Sequence, residues 1–209
     1  LPTRAFANPY VPGTPAGAAL RRSWRLNLPL FQMNDAVINR WRRDALGLPP
    51  IGWRDDLRRL RRLPHLLGFS PAVLPRPGDW PAWVEVTGFW FGDPAPGYEP
   101  PPALRAFLAD GPPPVAIGFS SQVVRDGARL ARAVADGVAQ AGVRAVVLGG
   151  YGALTGVASS ASLCPVPSVP YEWLFPRVAA VVHHGGSGST GEALRAGVPN
   201  MAVPFGYDQ

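Results

Sequence analysis

The fold is decided by a stretch near the end of the chain, VVHHGGSGSTGEALRAGVP at residues 181–199. An apolar run typical of a buried strand, AAVV at 179–182, passes through a glycine-rich loop into a helical segment between Thr190 and Gly197. A second apolar run, NMAVP at 200–204, follows that helix. Strand, helix and strand in this order predict a βαβ unit with parallel strands.

The same order of elements precedes this stretch. VAIGFSS at 115–121 predicts a strand, residues 125–142 predict a helix, and VRAVVLGG at 143–150 predicts another strand. We therefore expect an α/β fold with a doubly wound parallel sheet, whose ligands bind at the carboxyl ends of the strands.

Two domains are expected. The doubly wound sheet belongs to residues 113–209, and residues 1–91 are expected to be a second folded part. The Pro- and Gly-rich residues 92–112 are expected to link the two. A length of 209 residues with 47% hydrophobic residues is enough to bury a core.

The glycine-rich loop has the features of a phosphate site. Glycines let backbone N–H groups approach an anion closely, and a helix N-terminus adds partial positive charge at the same place. His184 is expected to hydrogen-bond a phosphate oxygen and, when protonated, to neutralise charge on a departing diphosphate. Ser189 and Thr190 are expected to add hydroxyl donors. His183 is expected to pack or orient, because only one of two adjacent residues faces the ligand.

The same residues leave another interpretation open. Gly186, Gly188 and Gly191 satisfy the G-x-G-x-x-G pattern of dinucleotide-binding folds, and Asp208 lies about 20 residues downstream, where such folds place a ribose-binding acid. An NAD(P)-dependent oxidoreductase is therefore an alternative, although a helix of about two turns is short for its crossover. A Walker loop is excluded because the chain contains no lysine. The histidines and the single cysteine lack metal-ligand spacing, so no metal is expected.

Family 1 glycosyltransferases of the GT-B fold carry a donor-site signature that closely resembles HHGGSGSTGEALRAGVPNMAVPFGYDQ at residues 183–209. The resemblance is strongest to the sterol-glucosyltransferase-like and antibiotic-glycosylating branches. It extends upstream through INRWRRDALGLPP at 38–50, PRPGDWPAWVEVTGFWF at 75–91 and VPYEWLFPRVAAV at 169–181. It implies that residues 1–91 are the end of a second, Rossmann-like domain that binds the acceptor, and that residues 113–209 bind the nucleotide-sugar donor.

The resemblance also implies a role for individual residues. It places the diphosphate on Gly118, Ser120, Ser121, His184, Gly186, Gly188, Ser189 and Thr190. Asp208 and Gln209 match a terminal D-Q pair that binds hydroxyls of the donor sugar. Glu192 matches a glutamate that binds the ribose in the plant branch, and Val169 matches the position whose backbone reads the nucleobase edge. Ser120 departs from the pattern, because the family tends to have glycine there.

The activity that this resemblance implies is inverting transfer of a sugar from a UDP or TDP sugar to a hydroxyl of a lipophilic acceptor, such as a sterol or a polyketide or glycopeptide aglycone. No cofactor is implied. The family's general base is a histidine near the start of the N-terminal domain, so no residue of this chain is assigned that role. Since the chain begins at Leu1 without an initiator Met, we expect an internal fragment with little activity of its own. A non-catalytic remnant that binds nucleotide sugars is a further alternative.

Charge and composition bear on partners and location. Eleven arginines fall between Arg21 and Arg62 against four aspartates, which gives a local charge of about +7. This segment is either an arginine face in solvent or a contact for an anionic membrane surface. No nucleic-acid-binding motif accompanies the charge, so no nucleic acid partner is expected. The single Cys164 and the absence of a run of roughly 20 apolar residues favour a cytoplasmic location. If the arginine segment contacts a membrane, we expect the protein to be peripheral to that membrane.

Overall fold

The computed structural model describes residues 17–23, 34–93, 96–120, 122, 124–150, 154, 156–206 and 209. The chain divides into two compact units, Leu1–Gly88 and Phe89–Gln209. Among the described residues, no helix has both the length and the apolarity that crossing a membrane requires.

The described part of the first unit contains short helices and a small sheet. Its elements are α1 (Ala18–Ser23), α2 (Asp35–Leu46), α3 (Trp53–Leu60), β1 (His65–Leu67) and β2 (Val84–Val86). The two strands pair in parallel, with His65 opposite Val84. The described part of this unit thus combines helices with a parallel pair of strands.

Helix α2 is tied to the loop that follows it by polar contacts. Asn39 donates from Nδ2 to the carbonyl of Ile51 at 3.0 Å and accepts the Ile51 N–H at 2.8 Å. The apolar side chains Val37, Ile38 and Trp41 are exposed, and none of the residues of α2 is buried against the described chain. This helix therefore presents an apolar face together with its arginines.

The second unit is the doubly wound domain. In chain order it contains α4 (Pro102–Ala109), β3 (Val115–Gly118), α5 (Gly127–Ala141), β4 (Ala145–Leu148), β5 (Leu163–Val166), α6 (Tyr171–Leu174), a 3₁₀ turn (Phe175–Arg177), β6 (Ala180–His183), α7 (Ser187–Ala196) and β7 (Asn200–Ala202). The five strands form one sheet in the order β5-β4-β3-β6-β7, and every neighbouring pair is parallel. The predicted α/β fold with a doubly wound parallel sheet is confirmed.

Both faces of the sheet are covered, as its continuous apolar strands require. One core cluster includes Leu104 of α4 and Ala193 of α7, and the other includes Val138 of α5. Residues 92–112, expected to be a linker, thus contain a helix whose Leu104 is fully buried in the second unit. The apolar residues of PALRAFLA explain this helix, since they give it a face to bury.

Local signals account for the helix ends. Asp126 caps α5, because its carboxylate accepts the N–H of Arg129 at 2.8 Å. Helices α5 and α7 end at Gly142 and Gly197, both in the left-handed conformation that glycine adopts without strain.

Candidate functional site

Two loops meet where the strand order of the sheet reverses. Strands β3 and β6 are neighbours, with Gly118 opposite His183 at their carboxyl ends. From β3 the chain proceeds outward through β4 to β5, whereas from β6 it proceeds the other way to β7. Ligands of open α/β sheets bind in the crevice that such a reversal creates. The loops after Gly118 and after His183 therefore both leave from this switch point.

His183 ends β6 and is held from two sides. Its side chain is 2% exposed, with Nε2 3.2 Å from Oδ1 of Asn200. The N–H of Gly185 donates to Nδ1 at 3.0 Å. Because a backbone N–H only donates, Nδ1 carries no proton, and the neutral ring has its proton on Nε2, which donates to Asn200. His183 thus joins the loop, through Gly185, to β7, through Asn200.

His184 lies over the next glycine. The side chain is 7% exposed, and a Cβ atom at Gly186 would lie only 2.4 Å from its Nε2. Its Nδ1 is buried and has no hydrogen-bond partner among the described residues. A buried polar atom left unsatisfied costs about 1–3 kcal/mol. A phosphate oxygen that accepted a hydrogen bond from this nitrogen would remove that cost.

The charge state of His184 follows from its surroundings. Burial lowers the pKa of His184 below its usual 6.5, and the neighbouring His183 lowers it further. The imidazole is therefore mainly neutral at pH 7 in this structure, so the neutralisation expected of a protonated His184 requires a lower pH. A neutral ring still donates one hydrogen bond to an anion.

Helix α7 begins three residues earlier than predicted. The sequence placed its start at Thr190, but Ser187 is the first helical residue and Gly186 is the N-cap. Serine and glycine fit this first turn, where backbone N–H groups have no acceptor within the helix. Gly188 is exposed, and a Cβ there would meet open space. The free amides of this turn are donors of the kind that bind anions at helix N-termini.

Thr190, at the predicted start of the helix, is hydrogen-bonded within the helix itself. Thr190 donates from both its N–H, at 3.0 Å, and its hydroxyl, at 2.9 Å, to the carbonyl of Gly186. The hydroxyl expected to bind phosphate would therefore have to exchange this bond for one with the ligand. Ser189 is buried at 6% exposure.

Gly191 has a packing role. A Cβ at this position would lie 2.7 Å from Cδ1 of Phe89, so only glycine lets that ring lie against α7. Dinucleotide-binding folds carry their fingerprint in the first βα turn of the sheet. Here Gly186, Gly188 and Gly191 follow β6, the fourth strand of five. This position disfavours the oxidoreductase alternative, although α7 is longer than the sequence suggested.

The loop after β3 is shaped by close contacts. A Cβ at Gly118 would lie 2.8 Å from Cβ of Leu148, so glycine permits tight packing between the strands. Ser120 has φ +47°, in the left-handed region, and its carbonyl oxygen would lie 2.5 Å from a Cβ at Gly150. The glycine that the family tends to have at this position adopts such a conformation without strain. Ser121 lies outside the described residues.

A cleft of about 480 Å³ opens beside this loop, at the carboxyl ends of β3, β4 and β5. Its lining includes Ser120, Val169 and Tyr171. The structure thus brings one position expected to face the diphosphate together with the position expected to read the nucleobase. The Tyr171 ring is stacked on Phe175, with centroids 4.6 Å apart.

Glu192 occupies a largely enclosed position on α7. Its side chain is 15% exposed, with Oε1 3.8 Å from Nη1 of Arg195. Burial raises the pKa of Glu192, Arg195 opposes that rise, and Glu172 adds to it. A desolvated carboxylate with one weak partner and a like charge nearby is typical of a functional position.

Gln209 lies against the loop that follows β6, at Gly185. A Cβ at Gly185, where φ is +89°, would be 3.3 Å from both Cβ and the backbone oxygen of Gln209. Oε1 of Gln209 accepts the N–H groups of Phe205 at 2.9 Å and Gly206 at 3.3 Å. The residue expected to bind the sugar is therefore next to the loop expected to bind the diphosphate. Its partner Asp208 lies outside the described residues.

Comparison with known proteins identifies the family of the chain. A family model described as the C-terminal domain of erythromycin biosynthesis protein CIII-like proteins matches residues 161–209. The O-mycaminosyltylonolide 6-deoxyallosyltransferase of Streptomyces fradiae is 47% identical over 189 residues, which are 88% of this chain and 43% of that protein. The sterol 3-beta-glucosyltransferase of Leptosphaeria maculans is 45% identical over 184 residues, 82% of this chain and 12% of that protein. By sequence, the chain belongs to the family 1 glycosyltransferases.

The fold agrees with this family. The crystal structure of the kitacinnamycin glycosyltransferase superposes with a TM-score of 0.58 at 18% identity and covers 92% of this chain and 50% of that one. The chain spans less than half the length of the two transferases that it matches in sequence.

Sequence reasoning missed two residues that shape this candidate site. Asn200 lies on β7 and reaches His183, and Phe89 covers Gly191. Both contacts join residues that belong to different segments of the chain, so no local sequence pattern predicts them. The signal available was chemical, since a polar Asn200 begins an otherwise apolar strand, NMA.

Proposed function

We propose that residues 89–209 bind the diphosphate of a nucleotide-sugar donor at the switch point between β3 and β6. The observation that carries this proposal is the buried imidazole of His184, whose Nδ1 lacks a partner among the described residues, beside the N-terminus of α7. The first-turn amides and this ring supply donors for an oxygen-rich dianion.

The chemistry proposed for this arrangement is stabilisation of a leaving group. Negative charge on the departing nucleoside diphosphate is larger in the transition state than in the ground state, so fixed N–H dipoles lower the barrier. Loss of one such donor typically costs on the order of 10²–10³ in rate. Together with the acceptor-binding part of a complete protein, the chain would transfer a hexosyl group with inversion to a hydroxyl of a lipophilic acceptor. The sterol and tylonolide substrates in the names of its relatives support a polycyclic or macrocyclic acceptor.

The test is calorimetric titration of the 209-residue chain with UDP, TDP and NADH. We expect saturable binding of a nucleoside diphosphate and none of NADH, because the glycine motif follows the fourth strand of the sheet. Binding of NADH with no binding of either diphosphate would reverse the assignment to a glycosyltransferase donor site. Transfer of labelled sugar by this chain alone would contradict the expectation that no residue of this chain acts as the general base.

We further propose that the first unit contacts an anionic membrane surface. Trp41, Ile38 and Val37 are 57%, 44% and 69% exposed on α2, and Arg40 and Arg43 of the same helix are exposed as well. An apolar face beside arginines is the pattern of helices that lie in a membrane interface. Liposome co-sedimentation tests this, with Trp41→Gln as the variant and Trp90→Gln as the control. Equal binding to neutral and anionic vesicles would exclude it.

A further inference from the structure

Asn200 lies beside the diphosphate loop, outside every position assigned above to a ligand. Its side-chain oxygen on β7 is 3.2 Å from Nε2 of His183 on β6. His183 in turn accepts the N–H of Gly185 on Nδ1 at 3.0 Å. One chain of hydrogen bonds thus joins the amide side chain on β7, the imidazole on β6 and the N–H of the loop.

The position of the proton in this chain depends on Asn200. A neutral imidazole has one donor and one acceptor nitrogen, and the hydrogen bond made by one of them sets which tautomer is present. With an acceptor at residue 200, the proton stays on Nε2 and Nδ1 remains free to accept the N–H of Gly185. Without that acceptor, the other tautomer would direct a ring N–H against the N–H of Gly185.

Gly185 connects the tautomer of His183 to the proposed diphosphate site. It follows His184, precedes the N-cap Gly186 of α7, and has φ +89°. Rotation of its peptide would move the His184 ring away from Gly186, where the two are in close contact. It would also change the direction in which the first amides of α7 point.

We propose that Asn200 is a positioning residue of the donor site, which keeps the loop after β6 in its binding conformation by holding His183 in the Nε2–H tautomer. The proposal rests on the proposed function, because the loop matters to the reaction only if it binds the diphosphate. Asn200 itself touches His183 and acts on the ligand through it.

The experiment uses three variants of the 209-residue chain. Asn200→Leu removes the acceptor at similar size, and Asn200→Asp keeps an acceptor oxygen. Met201→Gln is the matched control, since Met201 is the next residue of the same exposed strand and is 57% exposed. Nitrogen-15 NMR of the histidine rings reports the tautomer, calorimetry with UDP and TDP reports affinity, and thermal melting verifies that each variant folds.

The expected wild-type spectrum shows His183 protonated on Nε2. Asn200→Leu should mix the two tautomers and weaken diphosphate binding about five- to tenfold, the effect of losing one hydrogen bond. Asn200→Asp should restore the single tautomer, and Met201→Gln should change neither property.

The outcomes separate the two proposals. A wild-type His183 protonated on Nδ1, or an Asn200→Leu variant that keeps the tautomer and the affinity of the wild type, overturns the role of Asn200. Mixed tautomers with undiminished binding overturn it as well. If Asn200→Leu mixes the tautomers but even the wild type binds neither diphosphate, the control of the loop by Asn200 stands and the proposed function fails.

Discussion

The contact between His184 and Gly186 predicts the effect of a single methyl group. Gly186→Ala would place Cβ 2.4 Å from Nε2 and 3.0 Å from Cε1 of the imidazole, whereas ordinary contact begins at 3.4 Å. The ring would have to move by about 1 Å. The backbone at residue 186, with φ −64° and ψ 145°, suits alanine, so the substitution adds no backbone strain.

The expected loss is that of one hydrogen bond from His184 to the diphosphate. Hydrogen bonds to charged groups contribute about 1.5–3 kcal/mol, which corresponds to roughly a 10- to 100-fold weaker Kd. Calorimetric titration with UDP and TDP measures this difference. Gly137→Ala is the matched control, because Gly137 lies in α5 and a Cβ there meets nothing within 4 Å.

The control variant should gain about 0.5–1 kcal/mol of stability, since alanine suits a helix interior better than glycine. Its affinity should equal that of the wild type. A folded Gly186→Ala variant that binds UDP within twofold of the wild type would refute the assignment of His184 to the diphosphate.

Three further predictions concern single side chains. Since burial lowers the pKa of His184 below 6.5, the unfolded chain takes up this proton at a higher pH than the folded chain. The free energy of unfolding should therefore decrease as the pH falls through 6.5, by at most about 1.4 kcal/mol per pH unit, and urea titrations of His184→Gln should show a shallower decrease. Since burial raises the pKa of Glu192 above 4.5, its ionised form costs stability above that pH, so Glu192→Gln should be more stable than the wild type at pH 7 but not at pH 4. The same variant should weaken UDP binding and leave pyrophosphate binding unchanged, and equal effects on both ligands would count against a ribose contact. Ser120→Gly should raise the free energy of unfolding by up to about 1 kcal/mol, because it relieves the left-handed backbone at φ +47°, whereas Ser120→Ala should not.

The fold could be predicted from the sequence because each strand of the sheet has a recognisable local sequence pattern. Apolar runs such as AVVL at β4 are buried throughout, and parallel sheets covered on both faces require such runs. The start of α7 was not accessible in the same way. Serine and glycine suit a loop as well as the first turn of a helix, and only the position of Gly186 as N-cap resolves the two.

The candidate site was predictable only in part for a related reason. The glycine-rich loop and His184 are contiguous in sequence, so the pattern contains them together. The role of Asn200 depends on the pairing of β6 with β7, and that of Gly191 depends on Phe89, which lies about a hundred residues away. The neutral state of His184 likewise follows from burial, which no short motif encodes.

The contact of Gln209 with Gly185 has a thermodynamic consequence. Gln209 and Gly185 lie so close together that substitutions at the two positions should not have independent energetic effects. A double-mutant cycle between them would measure how strongly the residue expected to hold the sugar is coupled to the loop proposed to bind the diphosphate.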